Sequence, residues 1–376
     1  MKLDLVYEIQ PKVRPWSKPH PYGQREAERS AFDEAVAQIR YADALGYHCA
    51  WLAEHHFRDG RSASASPEVV LGGLALTTDH IRLGFGGVLM PFGFGHPARV
   101  AERVATVDLL SHGRVEWGTG CSSRTERAAF DVPLGDGAMV QWKEAVEIVV
   151  KMWEQERFSW DSPMFQMSER IQAPKPFQDP HPPCWLAVDG EASAFDAGKY
   201  GLGMMTYTLT QSLAETQAHF DAYRRGQAEP EPLTHVNNDR IAVYTLVHCY
   251  DDADEAAAYG LGLSIEWWYR NIAEFAIEWE LPLLEPDERV ALLPRLQSVV
   301  DGTTPVATNS YIAQDRIIVG TPDECLEQCL RYAEAGVDQL MCFVQFGVLP
   351  HKAVLRSIEL LGTLQPQLER SRHRMR

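Results

Sequence analysis

Tyr47-His48-Cys49-Ala50-Trp51-Leu52-Ala53-Glu54-His55-His56-Phe57 is a short apolar run that ends in a carboxylate, two imidazoles and an aromatic ring. A helix-like segment from Arg25 to Leu45 precedes it and stops at Gly46, the residue type that best tolerates the turn at a helix end. The run itself reads as the second strand of the chain. In a parallel α/β barrel that end of a strand opens on the active site, which makes Glu54, His55 and His56 the candidate catalytic residues. Successive side chains on a strand point to opposite faces, so the two histidines share a pocket only if the strand has ended before them. Histidine titrates near neutral pH and moves protons readily; the competing use of such a pair is to plug the barrel rim.

Outward from this stretch, apolar alternation predicts strands at 2–8, 48–53, 81–88, 114–118, 183–188, 202–207, 240–248 and 338–346. Amphipathic segments at 26–45, 66–78, 97–111, 140–155, 191–200, 211–226, 253–275 and 351–363 lie between them. Strands alternating with helices specify parallel pairing and right-handed crossovers, and eight of them make a closed (β/α)8 TIM barrel of the α/β class. The 376 residues form one such domain, 1–376, with insertions after strands 4 and 7. These insertions lie at about 119–139, 158–183 and 276–320, the last two rich in proline. The basic tail Arg370 to Arg376 reads as a frayed terminus.

The formal charge of −17 carries no basic stripe, which argues against nucleic acid or an anionic membrane as a partner. Met1 to Glu8 reads as a strand rather than a secretion leader, and no segment is long and apolar enough to span a bilayer. Seven cysteines, Cys49, Cys121, Cys184, Cys249, Cys325, Cys329 and Cys342, are scattered without a disulfide framework. The expectation is a cytoplasmic protein acting on small molecules. No metal is expected: Cys325 and Cys329 sit four apart on a helix without a second ligand pair, and the adjacent histidines lack a third ligand set.

Several segments, taken in order, resemble the bacterial luciferase-like family of flavin-dependent monooxygenases. They are Glu54-His55-His56-Phe57, His96-Pro97, Asp108-Leu109-Leu110-Ser111-His112-Gly113-Arg114, Gly118-Thr119-Gly120, Pro174 to Pro183, and Val319-Gly320-Thr321-Pro322, spread over residues 1 to 360. The resemblance implies reduced FMN, or in some branches a reduced deazaflavin, at the C-terminal barrel mouth. It also implies a small organic substrate, a separate flavin reductase, and a homodimer or a heterodimer with a homologue. By motif position His55 matches the family histidine that serves proton transfers at the flavin, with Glu54, His56 and Phe57 in support. Phe85, Gly86 and Gly87 match the strand that passes beneath the flavin ring, and glycine there permits close approach.

The resemblance further implies a phosphate site near Thr119, Cys121 and Arg124 and at the turn Asp189-Gly190-Glu191-Ala192-Ser193. Helix N–H groups at this turn and the Ser193 hydroxyl suit an anion. Both family arginines are replaced, by Cys121 and Met139, which removes two charge-assisted partners. Arg124 and Arg127 are the candidate substitutes. Three alternatives follow: a flavin-poor partner subunit, a barrel that has abandoned flavin, or use of Cys121 as a nucleophile activated by Arg124. Trp267-Trp268-Tyr269-Arg270-Asn271 reads either as the roof of a substrate pocket or as helix packing. Arg103 and Asp108 read as scaffold.

Overall fold

The computed structural model describes residues 1–12, 23–58, 60–304, 306 and 308–375, with side chains described for 1–12, 25–58, 60–304, 306 and 308–370. Its strands are β1 (Lys2–Tyr7), β2 (Cys49–Leu52), β3 (Arg82–Leu89), β4 (Val115–Gly120), β5 (Phe158–Asp161), β6 (Gln166–Arg170), β7 (Cys184–Ala187), β8 (Gly203–Tyr207), β9 (Ile241–Cys249), β10 (Ile318–Gly320) and β11 (Gln339–Phe343). Parallel pairing runs β1-β2-β3-β4-β7-β8-β9-β11, and the β1–β11 pair closes the ring, with Leu5 opposite Cys342 on one side and Ala50 on the other. The predicted (β/α)8 barrel is therefore the observed fold, and each of its strands coincides with one read from the sequence.

The helices are α1 (Gly23–Ala44), α2 (Pro67–Ala75), α3 (Pro97–Leu110), α4 (Arg124–Ala129), α5 (Gly137–Glu154), α6 (Glu191–Lys199), α7 (Leu213–Gln227), α8 (Ala253–Ala258), α9 (Leu261–Phe275), α10 (Pro286–Val300), α11 (Thr308–Ala313), α12 (Pro322–Ala335), α13 (His351–Gly362) and α14 (Gln365–Met375). The helix expected over 253–275 is two, α8 and α9, because Gly260 takes a left-handed conformation with φ 67° and breaks the hydrogen-bond ladder. The insertion at 158–183 contains the antiparallel β5–β6 hairpin. The insertion at 276–320 contains a π-helical turn at Ala276–Glu280, a 3-10 turn at Leu281–Leu283, α10, α11, and β10, which pairs with the end of β9. Helix α14 occupies part of the tail read as frayed; the side chains of 371–376 lie outside the described residues.

Two tryptophans fill the barrel floor because two glycines leave them room. A Cβ at Gly84 would lie 2.3 Å from the Trp51 ring, and one at Gly203 would lie 2.3 Å from the Trp185 ring. The two indoles meet edge to face at 5.5 Å. Each also donates its N–H to a buried carboxylate: Trp51 to Asp4 at 2.8 Å, Trp185 to Glu116 at 2.7 Å. Arg82 and Arg240 neutralise Glu116, and Arg240 lies over the Trp185 ring. These ion pairs overcome the cost of burial and hold the Glu116 carboxyl below its ordinary range.

Among the described residues no cation pairs with Asp4 in this way. Burial pushes its carboxyl up to about 8, against hydrogen bonds from Trp51 and Gln339. The native state therefore keeps a proton that the unfolded chain releases above about pH 4, so this group makes stability fall as pH rises toward about 8. Asp4→Asn is expected to remove that dependence. In urea unfolding at pH 5 and pH 8, the variant should gain on the wild type at the higher pH; a constant difference would show Asp4 to be ionised throughout.

Candidate active site

β2 stops at Leu52, and Phe57 takes a left-handed φ of 58°, so the chain turns sharply over the barrel mouth. Glu54, His55 and His56 follow the strand, and the two imidazoles face different surroundings. The Nδ1 of His55 donates to Glu126 at 3.2 Å, and its Nε2 faces Glu8 at 3.8 Å. His56 sits 3.5 Å from Glu54 and packs its ring edge-on against Phe130 at 4.9 Å. Glu54 accepts the Leu89 backbone N–H and lies 3.6 Å from Arg103. His55 thus faces the barrel mouth, whereas Glu54 and His56 belong to a neighbouring cluster that joins β2 to β3 and α3.

Glu126 organises the His55 side. It reaches this position because Ser123 caps α4 and the Glu126 side chain returns to the cap, a reciprocal pair in the pattern Ser-x-x-Glu. The fully buried carboxylate accepts the His56 N–H at 2.7 Å and the hydroxyls of Ser122 and Ser123, and lies 3.6 Å from Arg58. Burial raises its pKa, but the hydrogen bond and charge of His55, then Arg58 and Ser122, outweigh that and hold it ionised far below the usual carboxylate range.

Glu8 is the second carboxylate at the mouth. It receives two hydrogen bonds from Arg61, at 2.9 and 3.0 Å, and one from the Tyr244 hydroxyl at 3.1 Å. Burial again raises its pKa, and the charges of Arg61 and then His55 bring it below the ordinary value. Arg58 continues the network to the long insertion: it lies 3.4 Å from Glu280 and 4.3 Å over the Phe275 ring. Its own pKa is lowered by burial and by Arg61, against the pull of Glu126 and Glu280.

The predicted cofactor residues divide into two groups. Phe85 is buried, while Gly86 and Gly87, joined by a cis peptide, are partly exposed in a strand otherwise buried around them. The β3–β4 register slips between Phe85 and Val88, so this peptide stands out of the ladder. A Cβ at Gly87 would lie 2.7 Å from the Thr119 backbone nitrogen, so only glycine fits there. Thr119 is itself structural: its hydroxyl donates to the Trp185 carbonyl and accepts the Trp142 N–H.

The expected phosphate end is different. Cys121 Sγ lies 3.2 Å from Met139 Sδ, an apolar pair where the resemblance implies arginines. Arg124 points to the Leu283 carbonyl at 3.4 Å, and Arg127 to the Pro133 carbonyl at 3.3 Å. Gly190 precedes α6, and the Ser193 hydroxyl is already engaged with Asp189 at 3.1 Å. Burial pushes the Cys121 thiol up to about 12, with Arg127 opposing the rise and Asp189 adding to it, which favours a buried thiol over the alternative of a nucleophile. Cys325 and Cys329 are both buried, and no group of metal-binding residues occurs among the described residues.

A concavity of about 730 Å³ lies between α2 and α3, lined by Glu68, Gly72, Phe94, His96, Arg99 and Arg103 among others. It adjoins the Glu54 cluster but includes none of the residues around His55, so the acid–base geometry lies at the mouth. Glu8, Arg58, Arg61, Glu126 and Tyr244 escaped the sequence reading. Glu126 had a signal in its capping pattern and Glu8 in its place at the end of a barrel strand. Arg58, Arg61 and Tyr244 had none.

A parallel barrel with a carboxylate-clamped histidine at its C-terminal mouth has the architecture of an enzyme of this fold. The chain belongs to the luciferase-like monooxygenase family, whose model matches residues 12–339. It is 22% identical over 358 residues, 93% of each chain, to the flavin-dependent trigonelline monooxygenase oxygenase component of Acinetobacter baylyi. Among solved structures it is similar to the monooxygenase RslO1 of Streptomyces bottropensis, at 25% identity and TM-score 0.73 over 98% of this chain and 99% of that one. It shares its fold with the oxygenating constituent of 3,6-diketocamphane monooxygenase from Pseudomonas putida, at 18% identity and TM-score 0.70 over 98% of each chain.

Glu126→Gln is expected to cost about 3 kcal/mol in urea unfolding, because it leaves the buried Arg58 guanidinium without its inner carboxylate. A change below about 0.5 kcal/mol, the scale of a surface substitution, would show that Glu280 alone suffices for Arg58.

Proposed function

We propose that this chain is the oxygenase component of a two-component flavin-dependent monooxygenase. It takes reduced FMN from a separate reductase and uses O2 on a small organic substrate at the barrel mouth. The observation that carries the reading is His55, clamped at Nδ1 by the buried Glu126 with Nε2 3.8 Å from Glu8, on the loop that follows β2, the strand paired with the glycine-bearing β3. The relative named as an oxygenase component supports a separate reductase.

The ring end of the site fits a flavin. Gly86 and Gly87 present backbone without side chains, so a flat ring can approach the strand closely. When bound, reduced flavin supplies the electrons that activate O2. The protein's part is then positional. Glu126 holds the Nδ1–H tautomer of His55, which leaves Nε2 to hold or deliver a proton at the mouth. Glu8 lies where it stabilises a positive charge on His55. Phe275 and the turn at Ala276–Glu280 close over Arg58 and limit water entry.

The phosphate end fits poorly, since Cys121 and Met139 supply no charge and Asp189 and Glu191 are acidic. The binding energy on this reading comes from the ring and its sugar-alcohol chain. The same mismatch supports a second reading, a subunit that holds flavin only when paired with a homologue.

Anaerobic titration of the purified chain with reduced FMN tests both. Binding by the chain alone supports the oxygenase reading; binding only after co-expression with a homologue supports the second; no binding in either case ends the flavin reading. Cys121→Arg is expected to tighten FMN by about tenfold through a new charge-assisted contact, leaving riboflavin affinity unchanged. Equal effects on both flavins would place the phosphate elsewhere. His55→Ala is expected to lower oxygenated product from a panel of small ketones, thioethers and amides by about 100-fold or more, with reductase present. Undiminished product would remove His55 from proton transfer.

A further inference from the structure

Helix α9 covers the barrel mouth, and its contacts fix which face looks inward. Ser264 approaches the loop after β11, where its hydroxyl accepts the Val348 N–H at 3.2 Å. The Trp268 ring lies between Phe343, at 6.4 Å, and the Arg61 guanidinium, at 5.9 Å. About two turns on, the Phe275 ring carries Arg58 at 4.3 Å. Asn271 stands three residues after Trp268 and four before Phe275, on the same helix face. It is thus bracketed by two aromatic rings that rest on the arginines of the Glu8–His55–Glu126 network.

Asn271 is 1% exposed, and among the described residues neither its amide nitrogen nor its carbonyl oxygen has a hydrogen-bond partner. The indole N–H of Trp268 is likewise buried without a partner among the described residues. Other buried amides in the chain keep at least one bond: Gln38 to His351, Gln339 to Asp4, and Gln345 to the Ala31 carbonyl. A buried polar group without a partner is uncommon and calls for a physical reason. Two donors and one acceptor thus lie three residues apart on the inward face of α9.

We propose that Asn271 and Trp268 form the recognition point for a carboxamide or lactam on the substrate, an assignment that rests on the monooxygenase reading above. An amide carbonyl accepts from the Asn271 Nδ2–H and the Trp268 Nε1–H, and the amide N–H donates to Asn271 Oδ1. A ketone or ester leaves Oδ1 unpaired. A carboxylate sets negative charge against Oδ1 near Glu8, Glu126 and Glu280. The neutral amide alone satisfies the set, and discrimination of this kind is strong because the rejected ligand leaves buried groups unpaired.

The test uses two matched probe pairs on the full chain, 3-phenylpropanamide against 4-phenyl-2-butanone and caprolactam against cycloheptanone, because a primary amide and a lactam both present N–H and C=O on one side. Dissociation constants are measured by calorimetry with and without reduced FMN. Each amide is expected to bind about tenfold or more tighter than its ketone, the scale of a buried hydrogen-bonded pair. Asn271→Leu should abolish that preference. Trp268→Phe, which deletes the indole N–H and keeps a ring, should reduce it and guards against a folding failure of the first variant. Equal binding of amide and ketone to the wild type, no binding of either, or a preference that survives both substitutions would overturn the assignment. Reduced FMN binding is scored separately: its failure strikes the monooxygenase reading, while the amide preference is still read on the protein without flavin.

Discussion

A carboxylate with no access to water must find its partners inside the protein, and Glu126 finds them on two segments that meet over the barrel mouth. The β2 loop supplies His55, the His56 N–H and Arg58, while the β4 loop supplies Ser122 and Ser123. Arg58 passes the constraint on to the lid through Glu280 and Phe275. Because burial of an unmatched charge is so costly, these groups hold one arrangement. The orientation of His55 is a consequence of that arrangement rather than of its own loop.

The two ends of the cofactor site expected from the family have diverged. At the ring end a glycine pair, a slipped register and a Cβ-free approach are all present. At the phosphate end a thiol–thioether contact stands where cations are expected, and the nearby arginines are occupied with backbone carbonyls. A ring is held by shape and a dianion by charge, so the first requirement can persist while the second is lost.

Much of the barrel was legible because it is periodic. Strands of apolar residues separated by amphipathic helices recur along the chain, and each closing strand was found within a few residues. The breaks were less legible: Gly260 splits a helix, and the β5–β6 hairpin lies in a segment whose prolines read as loop. In the site, His55 was marked by its place at a strand end. Glu54 and His56, equally marked, turn to Arg103, Phe130 and Leu89 instead, because the chain reverses at Phe57.

The sequence by itself determined the strand–helix alternation, the glycines at β3 and the helix caps, since each depends on residues a few positions apart. Only the tertiary structure decided which carboxylate holds His55. Glu126 lies 71 residues away, Tyr244 is 236 residues from the Glu8 it meets, and Glu280 is 222 from Arg58. Such pairs follow from closure of the barrel and from loop paths with no period of their own, so no local pattern in the chain encodes them.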